Sequence, residues 1–219
     1  MSTQSGSHDN MGERDKLEKS DMSDGEEAPK DRIRDVTGRL FGELGYDAVS
    51  TQMIADAAGF DTHTVADHYP SKAALYLDVL GRLQRLWTDQ MASVFAGHEP
   101  AADSVITLMD RYLDFCLDHP EYPRLLMFRW MSDASDIRGA EEQILAPTVT
   151  ESVKVASRIA APGMDAEAAM WTLVWTIHGY LQAGFLDEAA RPSPPEDPAM
   201  LNRFRSHLHE LIRMLFAST

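Results

Sequence analysis

Residues 50–76 read STQMIADAAGFDTHTVADHYPSKAALY, and the spacing of breakers and caps leaves this stretch few folds to choose from. Gly59 and Pro70 stand eleven positions apart, so any helix between them is short. Ser50 or Thr51 is placed to cap a first helix, QMIADAA, with Ile54, Ala55 and Ala58 turned inward. Gly59 supplies the left-handed stop and Phe60 an apolar plug for the turn. Asp61 or Thr62 then caps a second helix ending near Tyr69, with Val65 and Tyr69 inward. Pro70 closes that helix, and Ser71 caps a third that begins KAALYLDVL and runs to about Phe95. Two short helices joined by a glycine turn and followed by a long one are the grammar of a helix-turn-helix.

An amphipathic helix from Lys30 precedes this unit, with Ile33, Val36, Leu40, Phe41 and Leu44 at helical spacing and Gly45 as its stop. Gly38 and Gly42 lie inside it, each costing about 1 kcal/mol relative to Ala. The helix therefore needs tertiary packing, or close neighbours that only Gly admits. Residues 1–29 are Ser-, Gly- and charge-rich and predict a disordered tail. Beyond the break at Gly97–Asp103 the chain reads as helical throughout. Ile106, Met109, Tyr112, Leu113 and Cys116 form one stripe, ending at HPEYP, 119–123. A short helix over 124–132, a polar loop over 133–140 and an amphipathic helix from Ile144 to Ala161 follow. A strongly apolar helix is expected from Met164 to Leu186, a Pro-rich linker over 191–198, and a last helix over 200–216. No strand pattern or repeat is visible. The fold class is therefore all-α, with a small helix-turn-helix domain over 30–80 and a larger helical domain over 81–219; the linking helix starts at residue 72.

Composition narrows the function. No catalytic triad spacing, Walker loop or Gly-rich dinucleotide turn is present, which argues against an enzyme and implies no cofactor. His207 and His209 are two apart on a helix and face different ways, so they make no metal pair. Cys116 is the single cysteine, which suits a reduced, cytoplasmic protein and reads as a small core residue. The chain has no signal-peptide pattern, and its most apolar run is too short for a membrane span, so no membrane partner is expected. The net charge of −15 counts against nucleic acid: residues 31–80 hold four basic and eight acidic residues, and Ala58–Ser71 has no Lys or Arg.

Against that charge stand LFGELGYDAVST (Leu40–Thr51), IADAAGF (Ile54–Phe60) and T-V-x-x-H-Y-x-S-K-x-A-L-Y (Thr64–Tyr76). In this register they resemble the TetR/AcrR family of transcriptional regulators, and HPE at 119–121 is common there too. The resemblance implies a DNA-binding head and a helical domain that dimerises through its last two long helices. That domain would enclose a pocket for a small apolar or aromatic effector, whose binding releases a double-stranded operator. It implies phosphate contacts from Thr51 and Lys72, a groove-facing set of Thr62, His63 and Thr64, and a backbone contact from His68. Gln52 belongs to the same surface. Asp67 reads either as an acceptor for cytosine N4 or as an outward residue, and Ala66 replaces a usual Tyr. Lys30, Arg32, Arg34 and Arg39 read either as suppliers of the missing phosphate contacts or as ordinary solvated positions. Met109, Tyr112, Phe115, Met127, Phe128, Trp130, Met131, Trp171, Trp175 and His178 form an apolar, aromatic and Met-rich set, most of it read as core and some as lining an adaptable effector cavity, with His178 either orienting a ligand or satisfied in the core. The expected function is a homodimeric, ligand-released repressor. The alternative is a helical dimer of the same fold whose reading head has degenerated, leaving a ligand- or protein-binding module.

Overall fold

The computed structural model describes residues 28–92, 94, 101–186 and 189–216. The expected tail over 1–27 and the expected helix end at Phe95 lie outside these residues. Nine α-helices are described: α1 (Pro29–Leu44), α2 (Thr51–Ala58), α3 (Thr62–His68), α4 (Lys72–Ala92), α5 (Ala102–Asp118), α6 (Glu121–Trp130), α7 (Ala146–Ile159), α8 (Ala166–Ala183) and α9 (Pro198–Leu215).

Local chemistry sets the ends of the first helices. Pro29 starts α1, where a missing N–H costs nothing. Ser50 Oγ accepts the Met53 N–H at 3.2 Å, and Asp61 Oδ1 accepts the Thr64 N–H at 2.7 Å, so the cap choices resolve to Ser50 and Asp61. Gly59 takes φ +77°, the left-handed stop that a β-carbon would strain. The three helices close over Ile33, Phe41, Ile54, Ala58 and Val65. Phe41, Tyr46 and Tyr76 form an aromatic triangle with ring centroids 5.3–5.7 Å apart. Leu44, read from the sequence as inward, is 45% exposed, because it lies past the last buried turn of α1.

The larger domain departs from the sequence reading in three places. Helix α6 begins at Glu121, because Pro123 is tolerated in its first turn, where its N–H is not needed. Residues 133–140 form turns rather than a solvated loop: Ala134, Ile137 and Ala140 are buried. Arg129 folds this segment inward, donating to the carbonyls of Ala134 (2.6 Å) and Ile137 (2.8 Å) and pairing with Glu141. A π-helical turn, Ala140–Leu145, then leads into α7. Helix α8 stops at Ala183, short of the expected Leu186, and Gly184 (φ +60°) turns the chain. Phe185–Leu186 (β1) pairs antiparallel with Pro192–Ser193 (β2), so the Pro-rich segment supplies a two-residue strand where none was expected. Tyr180 Oη ties the segment down by donating to the Pro195 carbonyl at 2.8 Å.

The two domains meet along α6. A β-carbon at Gly42 of α1 would lie 2.8 Å from Glu121 Cα, which explains why that helix position holds no larger residue. At the other end of α6, Asp133 accepts the backbone N–H groups of Tyr46 (2.7 Å) and Asp47 (2.9 Å). No helix among the described residues is long and apolar enough to cross a membrane.

Candidate DNA-reading surface and effector cavity

Thr51, Gln52, Thr62, His63, Asp67 and His68 are exposed on α2 and α3. Gln52 donates across its helix to Asp56 at 2.7 Å. Thr64 departs from expectation: it is half-buried, and its hydroxyl donates to Asp61 at 2.8 Å, so it serves the cap rather than the outer face. The N–H and hydroxyl of Thr64 together hold the Asp61 carboxyl below its ordinary range. Asp67 reaches one turn back to His63, Nδ1 to Oδ2 3.1 Å, with both side chains in solvent. That pairing directs the carboxylate along the helix.

Two predicted phosphate ligands are committed elsewhere. Lys72 Nζ donates to the carbonyls of Tyr46 and Val49, both at 2.8 Å, and lies 4.0 Å from the Tyr46 ring centroid. It fastens the α1–α2 connection to the start of α4. Arg34 is largely covered and set among Asp31, Asp35 and Asp78, at 2.5, 3.5 and 3.9 Å. Three carboxylates explain why it turns inward. Lys30 and Arg32, in contrast, are exposed at the start of α1. Lys30 lies 5.4 Å from the Tyr69 ring at the end of α3, and Arg32 lies 5.9 Å from Phe60 in the turn. These cations flank the helix-turn-helix. Arg39 instead borders the groove between α1, α4 and α6.

The larger domain holds a cavity of about 320 Å³ bounded by α4, α5, α6, α7 and α8. Met109, Tyr112, Trp130 and Trp171 of the predicted set line it. Phe115 does not; it is spent on packing between Trp87, His119 and Tyr122. Met127 and Phe128 lie away from the lining, and Met131 and Trp175 point outward, 66% and 56% exposed. His178 sits behind the wall: it is 1% exposed, stacks on Tyr112 and Trp130, and its Nε2 lies 2.7 Å from Tyr112 Oη. Burial lowers its pKa to about 4, so the ring is neutral at neutral pH, while Nδ1 has no partner. Of the two alternatives, His178 takes the core position rather than a place in the lining, with one ring nitrogen bonded and the other without a partner among the described residues.

Sequence reasoning missed the polar wall: Gln84, Thr148 and Ser152. Gln84 Nε2 donates to Thr148 Oγ1, and Tyr122 Oη donates to Gln84 Oε1, both at 2.6 Å. One signal was available, since Gln84 interrupts the buried stripe Leu80, Leu83 and Trp87 of α4. Among the described residues, Glu151 is the one charged side chain in the lining.

Residues 33–79 match the model of bacterial regulatory proteins of the tetR family. The helix-turn-helix domain belongs to the TetR family. The whole chain shares its fold with solved transcriptional regulators. It aligns with the ketosteroid transcriptional regulator KstR2 of Mycobacterium tuberculosis with a TM-score of 0.69 at 13% identity, covering 89% of this chain and 98% of the other. With the fatty acid degradation regulator FadR of Bacillus halodurans the TM-score is 0.64 at 12% identity, covering 86% and 96%. A structure of AibR in complex with isovaleryl coenzyme A and operator DNA gives 0.65 at 14%, covering 88% and 100%. At these identities the structural likenesses establish the fold. No curated protein matches the chain. The TetR-family head and the cavity are joined by two helices: α4 carries both Lys72 and Gln84, and α6 carries both Glu121 and Leu126.

Proposed function

We propose that the protein is a homodimeric, ligand-responsive transcriptional repressor of the cytoplasm, released from a palindromic operator when a small apolar or aromatic effector fills the cavity. The observation that carries this reading is the sharing of α4 and α6 between cavity wall and reading head. A ligand that moves either helix moves groups bonded to Tyr46, Asp47 and Val49, the segment between α1 and α2. AibR, which shares this fold, has been seen in complex with isovaleryl coenzyme A and operator DNA, which supports assigning a ligand site and a DNA-reading head to one chain.

The dimer would form through α8 and α9. Trp175 and Met214 are strongly exposed on these helices. A β-carbon at Gly179 would meet nothing within 4 Å, so a costly helix-interior glycine has no reason within one protomer. A four-helix bundle closed by a two-fold axis accounts for it, and places half-sites about one or two duplex turns apart. Thr51, Gln52, Thr62, His63 and His68 would face the duplex, with Lys30 and Arg32 on its phosphates.

Fluorescence anisotropy on the DNA upstream of the coding sequence, at several salt concentrations, tests the reading. Arg32→Ala should shrink the slope against log salt by about 1. Lys72→Ala should leave the slope unchanged and lower the melting temperature, because its ammonium serves carbonyls. Absence of specific binding at every salt concentration removes the repressor reading. The second reading, a ligand-binding helical dimer with a degenerate head, is favoured by the His63–Asp67 pair and the inward commitment of Arg34 and Lys72. Retained dimerisation and ligand binding without DNA binding would select it.

A further inference from the structure

We infer that the cavity selects an uncharged aromatic or apolar ligand bearing one hydrogen-bond acceptor oxygen, met by the amide of Gln84, and that it excludes carboxylates; this rests on the effector-cavity reading above. Counting hydrogens in the polar wall gives the first half. A threonine hydroxyl has one hydrogen, and that of Thr88 goes to the backbone carbonyl of Gln84, one turn back in the same helix, at 2.8 Å. The 3.2 Å contact between Thr88 Oγ1 and Thr148 Oγ1 therefore uses the Thr148 hydrogen. Tyr122 spends its hydrogen on Gln84 Oε1, and one Gln84 amide hydrogen goes to Thr148.

The second Gln84 amide hydrogen is what the network leaves over. Gln84 is 6% exposed and lines the cavity, so that hydrogen has to be served by whatever occupies the cavity, a water or a ligand. Buried N–H groups left alone cost more than spare carbonyl lone pairs, so the wall calls for an acceptor. The indoles of Trp87, Trp130 and Trp171 in the same lining are donors only, which adds to the bias.

Charge gives the second half. The described lining contains no Lys, Arg or His, and its one charged group is the Glu151 carboxylate, paired with Lys154 at 2.7 Å. His178 behind Tyr112 is neutral and supplies no positive charge. An anion entering this space would lose its hydration without gaining a counter-charge.

Three probes of near-equal size and shape separate these terms: 2-acetylnaphthalene, 2-isopropylnaphthalene and 2-naphthoate, titrated calorimetrically into the full-length chain at neutral pH. The ketone should bind roughly tenfold tighter than the hydrocarbon, the worth of one good hydrogen bond. The carboxylate should bind at least about a hundredfold more weakly than the ketone. In Gln84→Leu the ketone should fall to the affinity of the hydrocarbon while the hydrocarbon keeps its own; Gln84→Met gives the same readout if Leu impairs folding. Equal binding of ketone and carboxylate overturns the inference. Equal binding of ketone and hydrocarbon in the unaltered chain also overturns it but leaves the effector cavity standing. Failure of all three probes to bind overturns both.

Discussion

The helix caps of the reading head and the polar wall of the cavity span sequence in opposite ways. In the head, Ser50 bonds to Met53, Asp61 to Thr64 and Ser71 to Ala74, each three residues along the chain. Around the cavity, Tyr122 reaches Gln84 across 38 residues, Gln84 reaches Thr148 across 64, and Tyr112 meets His178 across 66. Local bonds form as soon as a helix starts, and each can fail alone. The distant bonds exist only when several helices are in place, so they report on the whole assembly. Substitutions and pH should therefore separate the two regions by the size of their effect.

The largest effect should come from His178. Its pKa is lowered to about 4 in the folded chain, against about 6.5 unfolded. Between these values the unfolded state binds the extra proton, so stability falls as pH falls. The loss should begin near pH 6.5, be complete near pH 4 and reach about 3 kcal/mol, at about 1.4 kcal/mol per pKa unit. Urea denaturation at a series of pH values reads this, and His178→Gln should flatten the slope across that window. An unchanged slope would mean that the ring is hydrated or paired in solution.

Next in size is Asp133, which joins the two regions. Its carboxylate accepts two backbone N–H groups 86 and 87 residues away. Asp133→Ala leaves the half-covered Tyr46 N–H without an acceptor and should cost about 2 kcal/mol. If the proposed coupling holds, the variant should also bind effector with near-normal affinity yet respond to it poorly on DNA. Loss of stability with intact ligand-driven release would show that the link holds the domains together without carrying the signal.

The same contrast explains what the sequence made legible. Caps, the Gly59 stop and the inward set of Ile54, Ala55, Ala58 and Val65 follow from patterns a few residues long, and all take the expected places. Gly42 left a close neighbour as one of two explanations and could not name Glu121, because that contact joins residues 79 positions apart. The cavity was legible only in part. A rule that seeks Met and aromatic residues finds Met109, Tyr112, Trp130 and Trp171, but it equally collects Phe115, which is core, and Trp175, which is surface. Core and cavity share one composition; what separates them is space left unfilled, a property of the assembled helices. The polar wall was hidden for a related reason, since Thr148 and Ser152 read as the solvent face of an amphipathic helix. The destinations of Lys72 and Arg34 were hidden too, because a cation near a helix-turn-helix reads as a phosphate ligand until its carbonyl and carboxylate partners are in place.

The smallest effect should come from the local side of the comparison. Ser50→Ala removes the acceptor for the Met53 N–H at the start of α2. That N–H lies at an exposed helix end, where water can replace the hydroxyl, so the cost should be about 1 kcal/mol. For a chain of this size that is about 2–4 °C in melting temperature. Hydrogen exchange should show the difference in scale more directly than melting. Ser50→Ala should speed exchange in the first turn of α2 and leave α5 and α8 as they were, whereas acidification acting at His178 should speed both of those helices together. A Ser50→Ala variant that loosened α5 or α8 would mean that the reading head and the cavity share one cooperative unit, and that the local character of its bonds does not isolate it.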